Sequence, residues 1–530
     1  MDFNVRSQAA TERTLRIEIP SQRVNSQEPA HPAKCQARFR WAGFAFAAAA
    51  LAISLVAISR RSFWLDEAAT VVHAIQPTLA AWWQQLVQEK AANLQTPLYM
   101  LYIWGCGKLC GSGEWTLRLA NLPWFVAGAT AFIMAFPQGD RRRPIAACVT
   151  LLCPFAWYYL DEVRPYAMQL GASLLVVASL ARLERNSPLA EARDAAHSAW
   201  FLFGIVVLSG SSLTGMIWAG AALLATPAVL SWTRIISLVK QQAALWLAAG
   251  GMLLFLGGYY LWTLTLGARA SAAATTTLGS ALFIGYELLG FGGLGPGRLA
   301  MRSAGPAALR PYLVWLALYA APTVILIGAG LRQLLGHGSR RPLAAGFCCC
   351  LPAAFLLTVG LVAHFRVLGR HFTPFLSVLL LLFTVGGSAL WSRRSAWVRG
   401  AVLLFCALSL ASCLSLRFLP RHEKDNYRAA AAFAKTALRN GQSVWWNAAQ
   451  EGAQYYGVPT ATLPGRGGGA LLVINPTRET LTGLPAPQVI IASKPDVYDN
   501  QAALAEYVRE QGFRLERSFT AFVIWRRGGN

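Results

Sequence analysis

The chain has 530 residues, of which 55% are hydrophobic and only 13% charged, with a mean hydropathy of +0.41. A water-soluble protein carries about a quarter of its residues as Asp, Glu, Lys and Arg, so a soluble globular enzyme is excluded, as is a disordered chain outside the N-terminus. The net charge of +23 would suggest nucleic acid in a soluble protein. Here the basic residues sit between apolar runs, the pattern of a polytopic membrane protein, and nucleic acid is not an expected partner.

Residues 1–40 are polar and basic (Arg6, Arg13, Arg16, Arg23, Lys34, Arg38, Arg40) and read as a cytoplasmic tail, too long and too broken for a signal peptide. The apolar run 41–59 should stay as an anchor. Next, 60–115 reads as one long outer loop with interfacial helices. Trp82, Trp83, Leu86 and Val87 recur at helical spacing beside Gln84, Gln85, Gln88, Glu89 and Lys90, and 97–110 is apolar but short for a span. Further spans are expected near 116–136, 144–159, 165–181, 199–212, 213–231, 243–262, 311–330, 343–362, 373–391 and 400–416, about eleven with the first. Basic clusters at Arg141–Arg143, Arg182/Arg185/Arg193, Arg234/Lys240, Arg332/Arg340/Arg341 and Arg393/Arg394/Arg399 fall in alternate loops and mark the cytoplasmic side. Arg60, Arg61, Arg298, Arg302, Arg310, Arg366 and Arg370 fall on the other side, against the rule, and are candidates for a ligand role. The ten cysteines lie mostly in or beside apolar runs, with neither a disulfide framework nor metal-type spacing.

An odd span count leaves 417–530 outside. SVWWN, QVIIAS and FTAFVIWRR read as strands, and DNYRAAAAFAKTALRNG and NQAALAEYVREQGF as helices, giving a small α/β domain. PGRGGGA, from Pro464, lacks the lysine and hydroxyl of a phosphate loop and reads as a turn.

Acids are scarce, 24 in all, yet Asp66-Glu67 follows the first span and Asp161-Glu162 follows the third, both on the outer side. Carboxylates near hydrocarbon are costly and are kept for work or for partners, although acids at helix starts also serve as simple caps. Arg118, Arg164 and Arg370 accompany them, with His364 and His371 in the loop of Arg370. Arginine forks suit phosphate. Together such groups can hold an anionic donor while a carboxylate deprotonates a hydroxyl.

These residues carry a resemblance. WLDEA after the first span is similar to the first-loop acidic motif of the GT-C glycosyltransferases, membrane enzymes that use polyprenyl-phosphate sugars. TPLYMLYIWGCGKLCGSGEWTLRLANLPWF (with Glu114, Arg118, Pro123), CPFAWYYLDEVRPYAMQL, GRHFTPFLS, and DNYRAAAAFAKTAL followed by QYYG resemble later motifs in the same order over nearly the whole chain. The nearest branch is the bacterial protein O-mannosyltransferase and aminoarabinose transferase-like group. The resemblance implies a polytopic α-helical GT-C fold: a tail at 1–40, a transmembrane catalytic domain at 41–416 and a periplasmic α/β domain at 417–530, in the bacterial inner membrane. It implies Asp66 as catalytic base with Glu67 beside it, Glu162 as the second-loop acid assisting the acceptor or a metal, Arg164 and Tyr166 orienting that loop, and Arg370 on the donor phosphate, with Arg118 and His371 also on the substrate. Asp161 stands where the family more often has Gln, so the choice between Asp161 and Glu162 stays open; His371 replaces the usual Tyr. A divalent cation is used by some members, and no cluster here demands one. The expected partners are a polyprenyl-phosphate sugar donor, a lipid, glycan or protein acceptor, and membrane lipids. The expected reaction is inverting transfer to a hydroxyl at the periplasmic face. Two alternatives remain: an envelope polysaccharide polymerase or ligase with diphosphate-linked donors, and a lipid-linked sugar transporter, which would show broken mid-membrane helices and an internal repeat that the sequence lacks.

Overall fold

Long apolar runs without charge leave the backbone no partner but itself, and the chain is accordingly helical along the segments expected to span. The structure, a computed structural model, describes residues 32–185, 191–267, 276–336, 341–393, 395–462 and 468–528, with side chains omitted at 32–40, 191–192 and 341–343. Residues 1–31 of the basic tail, and 464–467 of the glycine-rich turn, lie outside the described residues. The chain divides into two units, Met1–Ala42 and Gly43–Asn530, and the second holds the helical bundle and the C-terminal sheet.

Among the described residues seven helices are long and apolar enough to cross a bilayer: Glu114–Met134, Tyr166–Arg185, Ala243–Thr265, Arg298–Leu335, Ala344–Val362, Gly369–Trp391 and Ala396–Phe418. Leu213–Val229 and Trp232–Gln241 make an eighth if the pair, bent by 117°, is one span. The protein is thus multi-pass, and the other three expected spans differ for local reasons. Trp41–Ala57 is apolar but shorter. The run at 199–212 is the end of the helix Glu191–Ser211, whose beginning is polar. The run at 144–159 is broken into Arg142–Leu151 and Pro154–Leu160, because Pro154 has no N–H to continue the first helix. The loop 60–115 holds the helices Leu65–Ala74, Leu79–Glu89 and Pro97–Cys110, and Trp82 and Leu86 are the buried face of the second.

Spans cross closely where glycines permit it. A Cβ on Gly171 would stand 2.2 Å from the Trp124 carbonyl, and one on Gly386 would stand 2.0 Å from that of Leu326. Small residues at helix crossings are the usual way spans bring their backbones together where lipid gives no hydrophobic drive.

The C-terminal region forms one six-stranded sheet, ordered β2-β3-β1-β4-β6-β5. Its strands are β1 (Val444–Asn447), β2 (Thr460–Ala461), β3 (Ala470–Leu472), β4 (Val489–Ser493), β5 (Phe513–Phe519) and β6 (Phe522–Arg527). β2, β3, β1 and β4 run parallel, and β6 and β5 close the edge antiparallel. β1 is buried on both faces. Trp446 packs with Tyr427, Ile491 and Ile524 on one face, and Trp445 with Ile490, Leu504 and Tyr507 on the other.

Gly171→Ala should lower the thermal midpoint of the detergent-solubilised protein by an amount corresponding to about 1–3 kcal/mol of overpacking. Gly220→Ala, where an added Cβ meets nothing within 4 Å, should leave it unchanged. Equal midpoints for the two variants would contradict the close crossing.

Candidate active site

The two acidic doublets meet. The helix Leu65–Ala74 begins with Asp66 and Glu67 in its first turn, where carboxylates complement the helix dipole. Asp161 and Glu162 end the short helix Pro154–Leu160 and lead into Tyr166–Arg185. Glu67 Oε1 accepts the N–H of Val163 at 2.9 Å, which places the doublets side by side.

Each doublet is divided between a bonded acid and a freer one. Glu67 is fully buried and receives both Nε and Nη2 of Arg118, at 2.9 and 2.7 Å. Arg118, also fully buried, donates from Nη1 to the carbonyls of Ser59 and Arg61 at 3.1 and 2.7 Å, and lies over the ring of Phe63. Every direction of its fork is thereby used inside the protein, so it holds the loop after the first helix rather than facing a substrate. Asp161 accepts from the backbone N–H and hydroxyl of Ser59 at 2.6 and 2.8 Å, and Arg118 stands 3.6 Å away. Burial raises its carboxyl, but Arg118, Lys424 and Ser59 outweigh that and hold it below the usual range.

Asp66 and Glu162 are the other members. Asp66 is about one-fifth exposed and pairs with Arg370 Nη1. Burial pushes its carboxyl up, yet Arg370 and Arg164 overcome this and hold it at about 2. Glu162 is fully buried, and neither of its carboxylate oxygens has a hydrogen-bond partner. Lys424 Nζ stands 3.6 Å from Oε1. Burial raises this carboxyl, and Lys424 and Arg298 offset the rise only in part. A buried acid without hydrogen bonds is expensive and marks a functional position more often than a structural one.

Arg164 donates from Nη1 to Thr70 Oγ1 and Asn93 Oδ1, both at 2.9 Å, and to the Asp66 carbonyl at 3.3 Å. Its Nε, like that of Arg370, is buried without a protein partner. The ring of Tyr166 lies beneath Arg370, 6.0 Å from the guanidinium carbon. His371 faces inward to its own turn, where Nδ1 accepts the N–H of Leu368 at 3.1 Å, and its carbonyl receives Trp218 Nε1. Its ring is thus committed to capping the turn that carries Arg370. His364 lies on the same loop, exposed, with φ of 51°.

The C-terminal region also reaches the site, through residues that carry no motif in the sequence. Lys424 donates to the Asp161 carbonyl, and Lys494 pairs with Asp425, whose Oδ2 stands 3.5 Å from the N–H of Leu65 at the start of the Asp66 helix. Arg428 forks onto Glu114, and Tyr456 donates to Glu114 at 2.5 Å and receives the N–H of Phe63 at 2.8 Å. In sequence these residues read as ordinary surface charges of a polar domain. The one available signal was the position of Lys424-Asp425 directly after the last apolar run. Among the described residues no group of three His, Cys, Asp or Glu side chains is arranged to hold a metal.

Removing one partner of a buried ion pair leaves the other charge without compensation, at about 3–5 kcal/mol. Arg118→Ala should therefore greatly reduce the yield of folded protein in detergent, whereas Arg370→Ala, at the half-open end of the site, should fold with a midpoint close to the parent. Fluorescence-detected size exclusion with thermal challenge checks both. Equal behaviour of the two variants would contradict the division between buried framework and open site.

No protein-family model matches the chain, and no curated protein does. Solved structures do match. ArnT from Cupriavidus metallidurans in the apo state superposes with a TM-score of 0.51 at 12% identity, covering 93% of this chain and 98% of that one. ArnT from the same organism bound to undecaprenyl phosphate superposes at 0.46 and 14%, covering 92% and 98%. The arabinofuranosyltransferase AftD from Mycobacteria gives 0.37 and 15%, covering 93% of this chain and 40% of AftD. The last two scores are too low to argue from. The first is a likeness of fold along almost the whole of both chains, and the chain has the fold of ArnT, a GT-C membrane glycosyltransferase.

Proposed function

We propose that the chain is a glycosyltransferase of the bacterial inner membrane that moves a sugar from a polyprenyl-phosphate donor to a hydroxyl of a lipid, glycan or protein at the periplasmic face, with inversion. The observation that carries the reading is the setting of Asp66: a partly open carboxylate between two arginines, each with a spare buried Nε–H. Two such donors suit the oxygens of a lipid monophosphate.

In this reading the resting Asp66 is held as a weak base by Arg370. The donor phosphate draws Arg370 away, and the carboxylate becomes basic enough to work. The acceptor hydroxyl gives its proton to Asp66 while its oxygen bonds to the anomeric carbon from the face opposite the phosphate. The bond from that carbon to the phosphate oxygen breaks, and its electron pair leaves on the polyprenyl phosphate toward Arg370 and Arg164. Glu67 keeps Asp66 in place through Arg118. Of the second doublet, Glu162 is assigned to the acceptor side, since its oxygens are uncommitted, and Asp161 to the framework. The tail at 1–40 is assigned to the cytoplasm and the domain at 417–530 to the periplasm, where it closes over the site through Lys424 and Lys494.

Asp66→Asn should fold and insert as the parent does and lose transfer by about 10²–10⁴-fold, the usual worth of a general base. Full activity in that variant would remove Asp66 as the base. Polyprenyl-monophosphate sugar should compete with the native donor, and the diphosphate-linked sugar should not. The reverse would identify a polysaccharide polymerase or ligase. Mass analysis of membrane lipids and envelope glycans, with and without the protein, should show one sugar added to one acceptor.

A further inference from the structure

Glu287 is the single acid between residues 195 and 422. It is buried near the end of the helix Leu278–Leu288. Its Oε2 accepts the backbone N–H of Gly369 at 3.2 Å, the residue before Arg370. Its Oε1 accepts from Arg298 Nη2 at 2.5 Å. The fit at Gly369 is tight, since an added Cβ there would stand 2.4 Å from Oε2 of Glu287. Arg298 in turn donates to the Tyr159 hydroxyl at 3.1 Å, with its guanidinium carbon 3.9 Å from the ring centre of Tyr158. Tyr159 packs edge-on against Tyr166 at 4.8 Å, and Tyr166 lies beneath Arg370. The contacts close a ring through Glu287, Gly369-Arg370, Tyr166, Tyr159, Arg298 and back to Glu287. It joins the turn of Arg370 to the aromatic pair before the second acidic doublet.

We propose that Glu287 is a positioning residue, which fixes the turn presenting Arg370 so that its guanidinium can receive the donor phosphate; the proposal rests on the function given above. Glu287 does not touch the reacting atoms. It acts through one backbone N–H and one arginine. A carboxylate suits this place because it can accept from both at once, one on each oxygen. Gln would keep the bond to Gly369 and present an amide to Arg298. Ala would lose both.

The experiment uses the full-length protein in nanodiscs, with polyprenyl phosphate as the binding probe and polyprenyl-phosphate sugar for kinetics. Glu287→Ala should weaken polyprenyl-phosphate binding and raise the donor KM by about tenfold, the effect of one lost charge-assisted contact, with kcat at saturation near the parent's. Glu287→Gln should stay within about threefold of the parent, and Gly369→Ala should reproduce the Glu287→Ala effect by driving the carboxylate away. A purely stabilising role would lower the thermal midpoint and the active fraction without splitting KM from kcat. If Glu287→Ala does not fold, Gly369→Ala and Glu287→Gln decide between these outcomes. Parent-like donor KM and binding in Gly369→Ala or Glu287→Ala, with the parent binding normally, overturns the positioning role alone. A parent protein that binds no polyprenyl phosphate overturns the proposed function and this role with it.

Discussion

The site depends on one buried ion pair. Arg118 and Glu67 are both fully removed from solvent, at the edge of a largely apolar helical bundle. Two charges in such a place are stable only if nearly every donor and lone pair is used. The chain meets this by wrapping residues 59–62 around the guanidinium and laying Val163 on the carboxylate. That arrangement draws the loop after the first helix and the loop before Tyr166–Arg185 to a common point. Asp66 and Glu162 are thereby set near one another although 95 residues of chain separate them. The second member of the first doublet and the first of the second are bonded into the framework, and the remaining two carry fewer hydrogen bonds and are the pair to which the proposed chemistry is assigned.

Around this point the charges are graded by exposure. Arg118 has no freedom left. Arg164 keeps a spare Nε but is tied by its Nη1, and Arg370 pairs with Asp66 above the ring of Tyr166 and keeps a spare Nε as well. In the proposed function such a gradation would serve as a phosphate-binding edge on a rigid base, which is the requirement for positioning a donor while its leaving group separates. The C-terminal domain belongs to the same construction. Glu114, in the helix that carries Arg118, is gripped by Arg428 and Tyr456, and the start of the Asp66 helix sits against Asp425. Displacing this region would disturb both the Arg118–Glu67 pair and the start of the Asp66 helix.

Much of this was legible in the sequence where the signal is local. Apolar runs located most of the spans, the short apolar stretches within SVWWN and QVIIAS located β1 and β4, and the scarce acidic doublets marked two loops that the fold brings together. What escaped depends on tertiary partners. β2 has two residues and β3 three, too short for a periodic signal, and the edge strand β5 (FRLERSF) is exposed along most of its length and lacks the apolar run that marks a buried strand. Pro154 ended an apparent span in mid-run. The internal hydrogen bonds of the Arg118 fork, and that of the His371 ring within its own turn, carry no local signal in the sequence. The roles of Lys424, Lys494 and the Glu287–Arg298 pair come from elements far apart in the chain that only the fold brings together.

The most direct test is a structure of the full chain with polyprenyl phosphate bound. The phosphate is expected within hydrogen-bond reach of Arg370 and of Arg164 Nε, with the Asp66 carboxylate released toward open space beside Glu162 and the Arg118–Glu67 pair unmoved. A phosphate seated elsewhere, with Asp66 still closed on Arg370, would contradict this expectation.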